Sequence, residues 1–133
     1  GGNIPGGGAL EIGASRDILK LRDQLIGMSA YGLDCVVEAL KRPLAQIVEN
    51  AGFNPLEKVE EALAAQANEN NDCLTIDCDT GVVADLYQQG IIDPTLVKIH
   101  ALKAAGEVAI AILRIDTIIK KREVEPQQGQ GLV

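Results

Sequence analysis

The chain has 133 residues, 47% of them hydrophobic but only two Tyr and one Phe, and a formal net charge of −7, which suits one domain with an aliphatic core. An acidic chain without a Lys/Arg cluster excludes a grip on nucleic-acid phosphates, and no apolar run reaches the roughly 18 residues of a membrane span. Three cysteines, an odd number, argue against a secreted disulfide framework and point to a reducing cytosol.

The chain opens Gly-Gly-Asn, with neither an initiator Met nor a signal peptide, as expected of an excised segment. Residues 1–8 hold five Gly, one Pro, Asn and Ile, which is loop chemistry. From Ala9 the pattern is helical, with Ile18, Leu21 and Leu25 on one face. A second helix is expected from about Gln24 to Arg42, its stripe formed by Leu33, Val36, Val37 and Leu40. Pro43 lacks an N–H and is expected to break or kink it, after which the stripe resumes as Leu44, Ile47, Val48 and Ala51.

Gly52 is placed to take the left-handed conformation that ends a helix. Asn54-Pro55 reads as an N-cap followed by Pro at the first helical position. The helix they open carries Leu56, Val59 and Leu63 on one side and Glu57, Lys58, Glu60 and Glu61 on the other. After a polar loop at residues 68–72, Thr75 to Val83 reads as two short strands around a turn at Asp79-Thr80-Gly81. A short helix is expected over Ala84–Gln89, then extended Ile91-Ile92, a turn at Asp93-Pro94, and a long helix from near Thr95. Val108 to Leu113 is apolar on every face, so that helix needs cover on all sides. Lys120-Lys121-Arg122 reads as a solvated helix end, and residues 123–133 as a disordered tail.

Candidate chemistry is sparse. Gly6-Gly7-Gly8 before a helix lets a ligand approach the backbone and meet free N–H groups, yet no phosphate-loop or dinucleotide fingerprint accompanies it. Asp77-Cys78-Asp79-Thr80-Gly81 imitates the start of a calcium loop, but its Gly falls one position early and Gln88 stands where Glu is needed. Cys73 and Cys78 have only distant Cys35 and His100 to complete a zinc set. His100 has no Ser or Cys partner for catalysis. Asp77 and Asp93 both sit at turns, where Asp is common for local reasons. These readings assign no catalytic residue and no metal ligand.

Four stretches together resemble the chaperonin family. Gly6-Gly7-Gly8-Ala9-Leu10-Glu11-Ile12 resembles the segment that re-enters the chaperonin equatorial domain. Pro43-Leu44 to Gly52, with Asn54-Pro55, is a further stretch similar to that family. Asp77 to Leu86 with Gln89 to Pro94 resembles the nucleotide-base loop, and Ala104 to Ala109 with Ile112 to Ile119 the last helix and terminal strand. Order and spacing agree over roughly residues 5–120. Leu113-Arg114-Ile115-Asp116 is similar to the group II (thermosome) branch and Pro43 to Gly52 to group I, a mixture that suits a bacterial group III chaperonin.

The resemblance implies a mostly α fold: a multi-helical chaperonin equatorial-domain fragment over residues 1–122, with one small β-hairpin and a C-terminal β-strand at about residues 115–119. It implies ATP or ADP as ligand. Gly6, Gly7 and Gly8 would lie along the ribose and phosphates, Asp93 would accept from the ribose hydroxyls, and Asp77 and Cys78 would edge the adenine. Ile91 or Ile92 would pack on the base. Where Asp77 stands the family often has Asn, whose amide donor Asp lacks. The family's Gly-Asp-Gly-Thr-Thr loop, its water-orienting aspartate and its Mg2+-binding aspartate are not in the sequence, so the isolated chain is expected to hydrolyse no ATP.

The implied whole is a cytoplasmic double-ring ATPase. Its partners are other chaperonin subunits and non-native client proteins, the clients held by an apical domain outside this sequence. No nucleic acid and no membrane is implied. The alternative reading is a nucleotide-free helical protein-interaction module.

Overall fold

The structure, a computed structural model, describes residues 2–124 of the chain, with side chains as far as residue 115. Its elements in order are β1 (Asn3–Pro5), α1 (Ala9–Leu19), a 3-10 turn (Arg22–Gln24), α2 (Met28–Asn50), α3 (Pro55–Glu69), β2 (Leu74–Asp77), β3 (Val82–Asp85), β4 (Ile92–Pro94) and α4 (Thr95–Val124). One compact unit runs as far as Thr95 and a second begins at Leu96.

The caps fall where the sequence puts them. At the end of α2, Phe53 N–H donates to Val48 O at 3.0 Å and Gly52 N–H to Glu49 O at 3.0 Å. With Gly52 at φ +89°, that is a Schellman ending. Asn54 Oδ1 then accepts from Glu57 N–H at 3.2 Å and Pro55 opens α3. Asn70, at φ +49°, closes it.

Pro43 does not break α2, which continues to Asn50. Both Pro43 and Ala39, whose carbonyl loses its i+4 donor, are exposed, so water can satisfy that oxygen. The boundary between α1 and α2 also differs from expectation. Helix α1 stops at Leu19, the segment around Gln24 is a 3-10 turn, and α2 starts only at Met28. Gly27, at φ +66° and ψ −132°, supplies a conformation that blocks a continuous helix.

The core lies where α1, α2, α3 and the β2–β3 hairpin meet. Ile12, Leu44, Ala45, Val48, Val59, Ala62 and Ile76 are buried together, with Phe53, Leu63, Cys78 and Val83 packed on them. Each large aliphatic side chain so buried contributes roughly 1.5–3 kcal/mol. The buried faces are shifted from the expected ones. Helix α1 buries Ala9, Glu11, Ile12, Gly13 and Ser15, while Leu21 lies outside it and is half exposed. In α3, Leu56 is 75% exposed and Val59, Ala62 and Gln66 face inward.

Gln66 is fully buried and ties three elements together. Its Nε2 donates to Ala9 O (3.1 Å), Leu74 O (2.8 Å) and Asp72 O (3.3 Å), and its Oε1 accepts from Arg16 Nη1 (3.4 Å). The carbonyls at the start of α1 and in β2 thus find a donor away from water.

Strands β2 and β3 form the expected antiparallel hairpin, Leu74 opposite Asp85 and Asp77 opposite Val82. Its turn is held by Gly81 N–H to Asp77 O (2.7 Å) and Asp79 N–H to Asp77 Oδ1 (2.9 Å). Gly81 is at φ +73°, and a Cβ there would fall 2.6 Å from the Phe53 ring. Residues 86–90 are a turn, not the expected helix, closed by Ile91 N–H to Leu86 O at 2.9 Å. Ala84 and Asp85 are already committed to β3, and Gly90 at φ +84° suits a turn.

The N-terminal residues are not simply a loop. Strand β1 pairs antiparallel with β4, so Asp93-Pro94 is strand where a turn was expected. Both prolines sit in a two-stranded sheet, where every strand is an edge and a missing N–H is tolerated.

Helix α4 continues through residues 115–119, where the C-terminal strand was expected. A lone strand leaves its backbone unpaired, whereas an α-helix satisfies its own, and no Pro or Gly interrupts the chain between Gly106 and Lys120. Of α4's apolar residues, Val108, Ile110, Ile112, Leu113 and Ile115 are each at least half exposed. The expected tail lies, from residue 125 on, outside the described residues. Among the described residues no helix is long and apolar enough to cross a membrane.

Candidate functional site

Pairing of β1 with β4 sets the site. The register puts Ile4 opposite Asp93 and Pro5 opposite Ile92. It continues into the glycines, with Gly6 N–H donating to Ile91 O at 3.2 Å. A Cβ on Gly6 would lie 3.3 Å from Ile91 and 3.4 Å from Asp93 Oδ2. Residues nearly ninety positions apart are thus neighbours.

The next two glycines turn the chain into α1. Gly7 and Gly8 have φ of +65° and +80°, the left-handed region that side chains resist. Gly7 rests on the hairpin. Its carbonyl accepts from Thr75 Oγ1 at 2.8 Å, and a Cβ there would meet Leu86 and Thr75 at 3.3 Å. Gly8 sits against α2, where a Cβ would lie 2.8 Å from Leu44 Cβ and 3.0 Å from Leu44 Cα.

Beside Gly7 opens a cleft of about 320 Å³, lined by Gly7, Ile47, Ile76, Asp77, Cys78, Asp79, Leu86, Gln89 and Ile91. That is the scale of a small-molecule site. Its walls are aliphatic and its rim carries two carboxylates. No lining residue is basic, so the cleft suits a flat, weakly polar group such as a base better than a chain of phosphates. The N-terminus of α1, which begins just past the glycines, offers a partial positive charge.

The named candidates divide. Gly7, Asp77, Cys78 and Ile91 line the cleft, and Gly6 and Asp93 stand beside Ile91. Gly8 faces the core at Leu44. Ile92, paired with Pro5 on β4, is not a lining residue.

Asp77 also serves its own turn, its Oδ1 accepting from Asp79 N–H. Burial, then the neighbouring Asp77 and Asp79, pushes the Cys78 thiol up, and burial with Asp85 and Asp72 does the same for Cys73. Both are therefore thiols at neutral pH, poor nucleophiles. All three cysteines are unpaired, and His100 is exposed on α4.

Ile47, Ile76, Leu86, Gln89 and Thr75 were not assigned to the site from sequence. The aliphatics read as core. Ile47, Leu86 and Gln89 carried one signal, their place in stretches that resemble the chaperonin family.

A profile of the TCP-1/cpn60 chaperonin family matches residues 1–123. The chain is 33% identical to the thermosome subunit beta of Sulfurisphaera tokodaii over 126 residues, covering 95% of this chain and 23% of the relative. It is 36% identical to the thermosome subunit of Pyrococcus horikoshii over 132 residues, 96% of this chain and 24% of that one. The chain thus spans about a quarter of the length of these curated relatives.

Among solved structures it resembles a group III chaperonin in the open state, with a TM-score of 0.81 and 42% identity over 85% of this chain and 23% of that one. It also resembles the open-state monomer of a group II chaperonin from Methanococcoides burtonii, with a TM-score of 0.77 and 29% identity over 84% of this chain and 28% of that one.

Proposed function

This chain belongs to the TCP-1/cpn60 chaperonin family, and on that premise we propose that it supplies the adenosine-binding half of the equatorial domain of an ATP-dependent, protein-folding chaperonin. The observation that carries the reading is the convergence of Gly6-Gly7 with Asp77, Cys78, Ile91 and Asp93 around one cleft. Adenine fits between the aliphatic walls, with Ile91 against its face and Asp77 and Cys78 at its edge. Asp93 beside Gly6 accepts from the ribose hydroxyls, each as a charge-assisted hydrogen bond. The phosphates leave past Gly7 and Gly8 toward the positive end of α1.

No basic side chain and no acidic cluster of metal-ligand geometry lines the cleft, so the γ-phosphate chemistry belongs to parts of the protein outside this sequence. Mg2+ would be held there too. Residues 1–122 act as the equatorial segment and the remainder as a tail. Other subunits of the same ring system cover apolar surface such as that of α4, where a run of half-exposed aliphatics would otherwise meet water. The assembly works in the cytosol, in keeping with three unpaired cysteines, and encloses non-native client proteins. The nucleotide-free helical module is the less favoured reading given the family match.

Calorimetric titration tests the nucleotide assignment. ADP should bind saturably and more tightly than GDP, with no phosphate released from ATP by the isolated chain. Equal binding of both nucleotides, or of neither, would count against it.

A further inference from the structure

We propose that Thr75 is a positioning residue of the cleft, its hydroxyl fixing the backbone at Gly7, which lines it. The inference rests on the nucleotide reading above.

Thr75 is fully buried in β2 between buried Leu74 and Ile76. A buried hydroxyl must find an acceptor, and here it reaches 68 positions along the chain to Gly7 O, at 2.8 Å. The methyl of the same side chain stands under Gly7. A residue with only a packing role at this place in a strand needs no hydroxyl, since Val has the same shape and fits a strand as well.

What the bond controls is a peptide that would otherwise be free to turn over. Gly7 and Gly8 flank it, and glycine accepts either sign of φ. In a trans peptide the carbonyl of one residue and the N–H of the next point in opposite directions. Drawing Gly7 O onto Thr75 therefore turns the Gly8 N–H away from β2. No backbone carbonyl among the described residues accepts from that N–H. Flipped, the same peptide would lose its seat on Thr75 and move the backbone at Gly7, a wall of the cleft. Thr75 thus fixes the backbone wall that the ligand meets at Gly7, without itself lining the cleft.

The test compares wild-type chain with Thr75→Val and Thr75→Ser by equilibrium dialysis against ADP, with thermal melts alongside. Thr75→Val should weaken ADP binding about three- to tenfold, the scale of one neutral hydrogen bond, while remaining folded. Thr75→Ser should restore binding to within about twofold. Unchanged ADP affinity in Thr75→Val overturns the proposal, whatever happens to its melting temperature. A second measurement reads the seat itself: Thr75→Val should shift the Gly7 and Gly8 amide resonances of the ligand-free chain, and an unmoved pair overturns the proposal. A wild-type chain that binds no ADP defeats the nucleotide reading itself and this inference with it.

Discussion

Replacing Gly8 by Ala perturbs the point where the glycine turn is pressed onto α2. Two costs add. A side chain at φ +80° costs about 1–2 kcal/mol relative to glycine. The new methyl would also stand 2.8 Å from Leu44 Cβ, 3.0 Å from its Cα and 3.1 Å from its N. Those are backbone and Cβ atoms of fully buried Leu44, so no rotamer change relieves the clash, and overpacking of this kind costs about 1–3 kcal/mol. The expected loss is about 2–5 kcal/mol, read by urea unfolding followed by circular dichroism.

Gly13→Ala is the matched control. Its Cβ would meet Asp72 and Gln66 at an ordinary 3.5 Å, and alanine favours a helix by up to about 1 kcal/mol over glycine. Gly13→Ala should therefore leave stability unchanged or raise it. A Gly8→Ala variant within about 0.5 kcal/mol of wild type would refute the close seat of the glycine turn on Leu44.

Gln66→Leu keeps the volume but removes the buried donor to the Ala9 and Leu74 carbonyls, and should cost about 1–3 kcal/mol in the same unfolding assay. Pro43→Ala should stabilise α2 by about 1–3 kcal/mol by restoring a donor for Ala39 O, with an unchanged fold by NMR. The Arg22 guanidinium, bonded to Asp34 through Nε at 2.7 Å and Nη2 at 2.9 Å, holds the Asp34 carboxyl below its ordinary 3.8. The unfolded chain takes up that proton first as pH falls. The pair's stabilisation should therefore be fully present above pH 3.8 and vanish on further acidification, and Asp34→Asn should flatten that part of a stability-versus-pH curve. With Cys73 and Cys78 held as thiols, a maleimide at neutral pH should label exposed Cys35 first, as peptide mass spectrometry would show.

What the sequence made legible were features fixed by one or two residues: the Gly52 and Asn54-Pro55 caps, the Asp79-Thr80-Gly81 turn, and the start of α4 at Thr95. What it concealed were features settled by tertiary partners. Three-residue strands such as Asn3–Pro5 and Ile92–Pro94 are too short for an alternating pattern, and each carries a proline that argues against a strand. Pro43 reads as a breaker until its solvent-facing position is known. The shift of the buried face of α3 onto Val59, Ala62 and Gln66 was hidden because glutamine reads as surface until its three carbonyl acceptors are placed.

The glycines and the 77–93 stretch were picked out by resemblance, since their chemistry alone is that of common turns. Their neighbours in the cleft, Ile47 and Leu86 among them, come from elements whose packing no local pattern records. Thr75 carries no sequence signal, because threonine in a strand is ordinary.

The most direct test of the adenosine cleft is an NMR titration of the nitrogen-labelled chain with ADP. The amides of Gly7 and Gly8 should shift together with those of Cys78 and Ile91, along one binding curve. Shifts confined to one of the two stretches, or none up to about 10 mM ADP, would contradict a shared site.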